Sequence, residues 1–302
     1  MTKTLGHEQL EQFHRDGFLV VPGFLKDEEV KRLQQRADEL VNAFDASYHP
    51  ISLFTVTGES TKAGEHSEDE YFLTSGDKIR YFLETKSVDP SDPGVLRVAP
   101  HRSVNKIGHG LHMVDPVCRS IILDPSIQDI ARQLEFVDPR VLQSMYIFKQ
   151  PGIGGEVPPH QDSSFLYTDP LSAIGFWFAL EDCTPSNGCL AFVPGSHDRA
   201  IRQRYIRVPG PPEKAILVDA DTRKEGQGAY SIPEEDYKLI PCPKGSLVLI
   251  HGSVLHRSSA NTSQHRRLAL TFHIIEGTSE YSKDNWLQPT SSKGFTPLYD
   301  GP

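Results

Sequence analysis

The sequence predicts a mainly β fold with flanking helices: an all-β sandwich or barrel in the second half, with helices from the first half packed around it. Three observations carry this expectation. The segments 141–149, 173–180, 190–193, 247–251 and 268–275 are rich in β-branched and aromatic residues. Turn signals separate them, among them Pro151-Gly152, Pro185-Ser186-Asn187-Gly188, Pro194-Gly195-Ser196, Pro243-Lys244-Gly245 and Asn261-Thr262-Ser263. Several short strands so spaced are the pattern of a sandwich or barrel. The first half instead places apolar residues at helical spacing. At 302 residues the chain is long enough to bury a core without disulfide or zinc staples. The reading is a single domain over 1–302, with a helical part over about 1–139 and the β core over about 140–290.

Along the chain, Leu10 and Phe13 lie three apart in a polar stretch that suits a short helix, which Gly17 can end. Phe18 to Val21 then reads as a strand closed by Pro22-Gly23. Asp27 is an N-cap candidate, with Glu28 and Glu29 in the first turn where negative charge is favoured. Val30, Leu33, Ala37, Leu40 and Val41 follow on one helical face that packs onto the core. Residues 55–70 are polar and acidic and read as a mobile surface loop with a solvated face. Asp77 to Glu84 returns to strand-like composition. Asp124-Pro125 starts another helix, with Ile127, Ile130, Ala131 and Leu134 on one face. The stretch 208–235, rich in Pro, Gly and charge, reads as an insertion on the rim of the β core.

Lys and Arg number 31 against 40 Asp and Glu, a net charge of −9. A general nucleic-acid binder would need a basic footprint, so the charge balance argues against that class, a local basic patch aside. No run approaches the ~18 apolar residues of a membrane span. The four cysteines, Cys118, Cys183, Cys189 and Cys242, form no Cys-x-x-Cys pair and read as reduced thiols. Cys183 and Cys189 flank a turn and could approach each other as a buried thiol pair. The first ten residues have no apolar core of secretory type, and the last five match no peroxisomal or retrieval signal. A cytoplasmic location is expected.

The sharpest chemical feature is Pro159-His160-Gln161-Asp162. In an extended segment residues i and i+2 share a side, so His160 and Asp162 could offer an imidazole and a carboxylate to one point. A further histidine would complete the two-His, one-carboxylate set that leaves positions open on Fe(II). His-x-Asp by itself turns up by chance in many chains. The segment 247–273 adds weight, because it reads as strand, turn, strand. A turn centred on Asn261-Thr262 would set His256 opposite Arg267, about 5 Å apart at Cβ, with Ser258 on the same side as His256. A ligand, a hydroxyl and a guanidinium lining one cavity suit a small dicarboxylate. One end would chelate the metal, and the guanidinium fork would meet the other carboxylate bidentately. Arg267 leads directly into apolar Leu268, Leu270 and Phe272, which counts against an ordinary surface charge.

With these residues assembled, the sequence resembles the phytanoyl-CoA dioxygenase family of Fe(II)/2-oxoglutarate oxygenases over nearly its whole length. The resemblance rests on residues 13–23, 76–80, 105–108 and 143–150, on His160-Gln161-Asp162, on 187–190 and 194–197, and on His256 and 285–289. It implies a double-stranded β-helix, or jelly roll, that is cupin-like in its layout, with the metal at its mouth. It implies that His160, Asp162 and His256 bind Fe(II) and act as the catalytic centre. Ser258 and Arg267 would hold the distal carboxylate of the cosubstrate 2-oxoglutarate, with Lys106, Met145 and Trp177 also contacting it. O2 would be the oxidant and ascorbate a supporting reductant. The presence of Asp162 argues against the halide-binding variants of such sites. The expected activity is a hydroxylase that converts 2-oxoglutarate to succinate and CO2 while oxidising a small molecule, an acyl-CoA or another organic acid. The stretch 198–235 departs from the familiar pattern, so the substrate does not carry over.

Two other classes stay open on the residues alone. A cupin-like metalloenzyme without 2-oxoglutarate would keep the three ligands but not need Arg267 and Ser258. An inactive binding module would not need to keep all three ligands. His251 and His273 read as core residues or as supports of the ligands, and His197 as a structural turn residue. Arg199, Arg202, Arg204 and Arg207 read as solvated charge, with contacts to substrate phosphates as the functional alternative.

Overall fold

The computed structural model describes residues 3–53, 70–211, 213–220 and 230–299. The first half runs through α1 (His7–Asp16), β1 (Phe18–Val21), α2 (Asp27–Asn42), α3 (Glu70–Leu73), β2 (Ile79–Leu83), α4 (Pro100–Ser103), β3 (Val104–His109), α5 (Leu111–Val114), α6 (Pro116–Ile122) and α7 (Pro125–Gln133). Gly17 ends α1 in the left-handed region at φ 79°. A side chain there is excluded twice over, since a Cβ would sit 2.5 Å from His197 Nδ1. In α2 the expected face of Val30, Leu33, Ala37, Leu40 and Val41 is buried. Asp27 is the first helical residue rather than the cap, however. Lys26 precedes it, and the Glu29 carboxylate accepts the Lys26 backbone N–H at 2.7 Å. Asp124 caps α7 by accepting from Ser126 N at 2.8 Å. Of the loop expected over 55–70, all but Glu70 lies outside the described residues.

The second half continues with β4 (Pro139–Lys149), β5 (Val157–His160), β6 (Thr168–Asp169), β7 (Ile174–Ala179), β8 (Leu190–Phe192), β9 (Gln203–Val208), β10 (Lys214–Asp219), β11 (Lys238–Ile240), β12 (Leu247–His251), β13 (His256–Ser258), β14 (Arg267–Glu276), β15 (Glu280–Tyr281) and β16 (Thr296–Pro297). The larger sheet has the order β1-β12-β7-β14-β4-β3-β2, with β16 also on β4. A four-stranded sheet, β11-β8-β13-β5, faces it, and the hairpin β9-β10 and the long-range pair β6-β15 form two further two-stranded sheets. All of these pairings are antiparallel. Two facing antiparallel sheets joined by such crossovers form a jelly roll, as expected. The first 139 residues supply three of its strands as well as helices.

The central strands of the larger sheet are buried on both faces. From β14, Leu268, Leu270, Phe272 and Ile274 join the apolar cluster shared with α2, α6 and α7. Phe272 stacks on Phe176 at 4.7 Å between ring centroids. The opposite face of the sheet looks toward the smaller sheet, where Trp177, Ala179 and Ala269 pack with Leu190, Phe192 and Ile240.

Three expectations change. The segment 247–273 is not a hairpin: His256 pairs with His160 and Phe192 in the smaller sheet, whereas Arg267 pairs with Lys149 in the larger one. The intervening residues cross between sheets, and Asn261 anchors the crossing by donating from Nδ2 to Lys149 O at 2.8 Å and His265 O at 2.7 Å. The rim insertion expected over 208–235 is not all irregular: it begins at the last residue of β9 and contains β10, the second strand of the β9-β10 hairpin, although residues 212 and 221–229 lie outside the described ones. All four cysteines are free and buried. Cys183, Cys189 and Cys242 share one cluster, but the backbone partner of Cys183 is Cys242 across an antiparallel bridge. Among the described residues no helix is long and apolar enough to cross a membrane.

One buried imidazole makes the fold sensitive to acid. The Ser144 hydroxyl lies 2.7 Å from both His112 N and His112 Nδ1. Burial, with Arg119 nearby, pushes the His112 imidazole down to about 3. The folded value lies below the unfolded one, so this contribution is complete above about pH 6.5. It then falls as pH drops toward 3, by up to about 1.4 kcal/mol per pH unit. His112→Gln is therefore expected to flatten the fall in stability between pH 6.5 and 4.5. Urea unfolding at stepped pH measures this, and parallel slopes for the two proteins would refute it.

Candidate functional site

The site forms where the two sheets face each other. His160 ends β5, and Gln161 stays extended at φ −118°, ψ 127°, so Asp162 returns to the same side. The intervening Gln161 turns away and donates to Ser253 O at 2.8 Å. His256 opposes His160 in the ladder of β13 and β5, and their rings lie 4.2 Å apart between centroids. Asp162 Oδ1 is 3.5 Å from His160 Nε2 and 3.7 Å from His256 Nε2. These three ligand atoms lie within 4.8 Å of one another and could hold a metal ion.

The imidazole tautomers fit that role. His160 Nδ1 donates to Pro158 O at 2.9 Å, and His256 Nδ1 donates to Val254 O at 3.1 Å. With each Nδ1–H held by a carbonyl, both Nε2 lone pairs point at the shared space. Burial, with His160 beside it, pushes His256 down to about 4, so it stands neutral as a ligand must. Burial alone would raise Asp162, but His256 and His273 hold its carboxyl well below the ordinary range.

His160, Asp162, His256, Lys106, Met145, Trp177, Ser258 and Arg267 all line one cavity of about 170 Å³. The expected residues are thus brought together, although Arg267 reaches His256 across the cavity rather than along a hairpin. Arg267 is 2% exposed, and its Nε and Nη1 have no hydrogen-bond partner among the described residues. Its guanidinium carbon lies 5.3 Å from the centroid of the Trp177 ring. Burial lowers its pKa, and it also brings Lys106 down to about 7 against the pull of Asp162.

Several residues of the cavity escaped assignment. Gln143, Ile147 and Lys149 share the inward face of β4 with Met145, and Thr271 shares that of β14 with Arg267 and with His273, the last already read as a core residue or a support of the ligands. Extending the two-residue alternation from Met145 and Arg267 would have found them. Phe72, His109, Phe165, Tyr205 and Trp286 close the other end and carry no such periodic signal. Phe72 and Trp286 stack at 4.3 Å. His251 lies outside this cavity and packs on Phe13 and His197, while His197 Nε2 donates to His14 O at 3.0 Å.

The arginine cluster divides in two. Arg204 donates to Ser282 Oγ at 2.6 Å, and Arg207 donates to Trp286 O and Leu73 O at 2.8 and 2.9 Å. The guanidinium carbons of Arg199 and Arg202 lie 5.6 and 3.8 Å from the centroid of the Tyr230 ring. Arg202 and Tyr230 border a second cavity of about 310 Å³ that adjoins the first at His160 and Phe165.

Comparison with known proteins places these features in context. The family described as phytanoyl-CoA dioxygenase (PhyH) matches residues 13–269. The phytanoyl-CoA dioxygenase domain-containing protein 1 of Bos taurus is 45% identical over 302 residues, covering 98% of this chain and 99% of its own. A phytanoyl-CoA dioxygenase of Arabidopsis thaliana is 41% identical over 300 residues, covering 99% of this chain and 98% of its own. Among solved structures, the alpha ketoglutarate dependent epimerase SnoN has been determined with Fe3+, alpha ketoglutarate and nogalamycin RO. It is 18% identical, covers 97% of this chain and 93% of its own, and has a TM-score of 0.60. EctD from S. alaskensis, solved with 2-oxoglutarate and 5-hydroxyectoine, is 18% identical with a TM-score of 0.59, covering 94% of this chain and 81% of its own. At such identities the structural likeness shows the fold alone.

Each of the three donors is expected to be needed for metal binding. Single replacement of His160, Asp162 or His256 by Ala should lower bound Fe(II) per chain at least about tenfold while leaving the circular dichroism spectrum unchanged. Wild-type metal content in any one variant would remove that residue from the set.

Proposed function

The chain belongs to the phytanoyl-CoA dioxygenase family, and we propose that it is an Fe(II)- and 2-oxoglutarate-dependent oxygenase that oxidises a small molecule. One observation carries the cosubstrate: a buried guanidinium with two unpartnered groups stands in the same cavity as three convergent metal donors. An unpaired buried charge is costly, so the site asks for an anion. A dicarboxylate answers both ends, meeting Arg267 with one carboxylate and the metal with the other.

In this reading His160, Asp162 and His256 hold Fe(II). Bound iron would supply the coupling of O2 reduction and 2-oxoglutarate decarboxylation, giving succinate and CO2, to oxidation of the substrate. Arg267 and Ser258 hold the distal carboxylate, with Lys106, Met145 and Trp177 around the rest of the cosubstrate. Lys106 adds positive charge on the side facing Asp162. The apolar walls exclude water, which strengthens every charge contact inside. The supply of electrons and bond-breaking chemistry belongs to the metal and cosubstrate, and the protein contributes placement and dryness. Ascorbate would serve only to keep the iron reduced.

The substrate would enter the end lined by Phe72, Phe165, Tyr205 and Trp286. Gln143, which lines the same cavity beside His273, has its Oε1 buried without a partner among the described residues. An aromatic wall with one open acceptor supports a largely apolar or ring-containing substrate that brings an O–H or N–H donor. Arg204 and Arg207 are occupied by internal contacts and lend an acyl-CoA no support, which leaves Arg202 at the adjoining cavity as the member of the cluster placed to meet a phosphate. The whole chain would act as one oxygenase domain in the cytoplasm.

Arg267→Ala removes a charge-assisted, bidentate contact of about 1.5–3 kcal/mol, and about 3–5 kcal/mol where the bound carboxylate stays buried and unpaired. The expected loss of 2-oxoglutarate affinity is of order 10 to several thousandfold. Arg267→Lys should recover part, because an ammonium lacks the planar fork. Anaerobic titration of 2-oxoglutarate into the Fe(II)-loaded proteins, followed by the metal-to-ligand absorption band, reads the effect. Equal affinities for wild type and Arg267→Ala would overturn the cosubstrate assignment.

A further inference from the structure

Asp162 presents its two oxygens to different partners. Oδ1 faces His160 and His256. Oδ2 lies 3.2 Å from His273 Nε2 on β14. An ionised carboxylate only accepts, so His273 Nε2 carries the hydrogen. In the neutral ring Nδ1 is then an acceptor. Gln143 Nε2 lies 3.2 Å from that Nδ1 and can only donate to it. The three side chains thus form one directed chain of hydrogen bonds, from the Gln143 amide through His273 to Asp162.

The sheet is built around this chain. Gln143 and His273 are direct partners in the ladder of β4 and β14, and His273 opposes Gly175 in the ladder of β14 and β7. A Cβ on Gly175 would stand 3.3 Å from His273 Nε2 and 3.4 Å from Asp162 Oδ2, against both atoms of the hydrogen bond. His273 and Gln143 are both buried, which leaves water little room to replace either contact.

We infer that His273 is a positioning residue for the metal centre: it occupies Asp162 Oδ2, so that the carboxylate offers Oδ1 alone to the ion, and Gln143 fixes the ring that does so. The inference rests on the metal site proposed above. A carboxylate free to turn could present both oxygens and take up one of the positions that cosubstrate and O2 need. Held by His273, it leaves them open. Partners of this kind commonly change metal affinity by about 10–100-fold when removed.

The test is anaerobic Fe(II) binding by the purified chain, measured by competition with a chromophoric chelator, alongside thermal unfolding of the metal-free protein. His273→Leu is expected to weaken Fe(II) binding by about 10–100-fold. His273→Gln keeps an N–H donor at similar reach and is expected to recover most of that loss. Gln143→Leu leaves His273 in place and should cost less than His273→Leu. Gly175→Val removes no hydrogen-bonding group but crowds the contact, and it should weaken binding in the same direction. A merely structural role for His273 would lower the unfolding temperature without a metal-affinity difference between Leu and Gln at 273. Wild-type affinity in a folded His273→Leu protein, or in Gly175→Val should His273→Leu not fold, would overturn the inference and leave the metal site standing. Failure of the wild type itself to bind Fe(II) would overturn the site and the inference together.

Discussion

The site depends on a strand with two interiors. Alternate residues of β14 face opposite ways, as they must in any strand. Leu268, Leu270, Phe272 and Ile274 are committed to the helical side, where the cluster includes Val30 and Leu33 of α2 and Ile127 and Ile130 of α7. That commitment fixes the register, because a slip of one residue would turn the whole apolar set away from the helices. Arg267, Thr271 and His273 then have only one place to go, the space between the sheets. The helices of the first half, packed on the apolar face of β14, thereby hold the guanidinium and the imidazole at one fixed spacing along the strand.

Charge in and beside this space is arranged unevenly. Glu84 is buried but satisfied, accepting from Asn105 Nδ2 at 2.9 Å and Gly155 N at 3.0 Å. Lys149 is buried and donates to the carbonyls of Gly155 and Ser259, and burial together with Arg267 pushes it down to about 7. These two groups share the Gly155 peptide and are closed to a ligand. Arg267, the ladder partner of Lys149, has no such enclosure. A ligand carboxylate arriving there relieves a cost the fold already carries, whereas an uncharged ligand end would leave it in place. The same contrast separates a pocket built for a dianion from one that merely contains an arginine.

The helices with apolar stripes and the long strands were legible in the sequence, because periodicity within one element needs no knowledge of the others. Val30 to Val41 and Ile127 to Ala131 are buried as their spacing requires. The candidate ligands His160 and Asp162 were legible for the same local reason. His256 and Arg267 were found for an incomplete reason. A local turn was expected to make them neighbours, but the chain crosses between sheets at Asn261, and they meet across a cavity. Which sheet a strand joins is decided by packing between sheets, and no window of adjacent residues records it. The β9-β10 hairpin was hidden by the Pro, Gly and charge around it, although Tyr205 on β9 lines the cavity.

This difference in legibility follows a physical division in the site. The candidate metal donors, Arg267 and His273 sit on or directly beside strands of the two sheets. The aromatic end is assembled from Phe72 on α3, Tyr205 on a rim hairpin, and Phe165 and Trp286 in irregular segments. Those residues are held by one another, as in the Phe72–Trp286 and Phe165–Tyr205 contacts at 4.3 and 5.4 Å, more than by the sheet. A change among them reshapes the chamber without disturbing the register that holds the metal donors. Substitution at Thr271 or Trp177 has no such freedom, since each is paired with the other across β14 and β7 and so acts on the ladder itself. The chamber of this chain can therefore be altered while the three candidate donors stay in place, so the donors by themselves do not specify what the chamber takes.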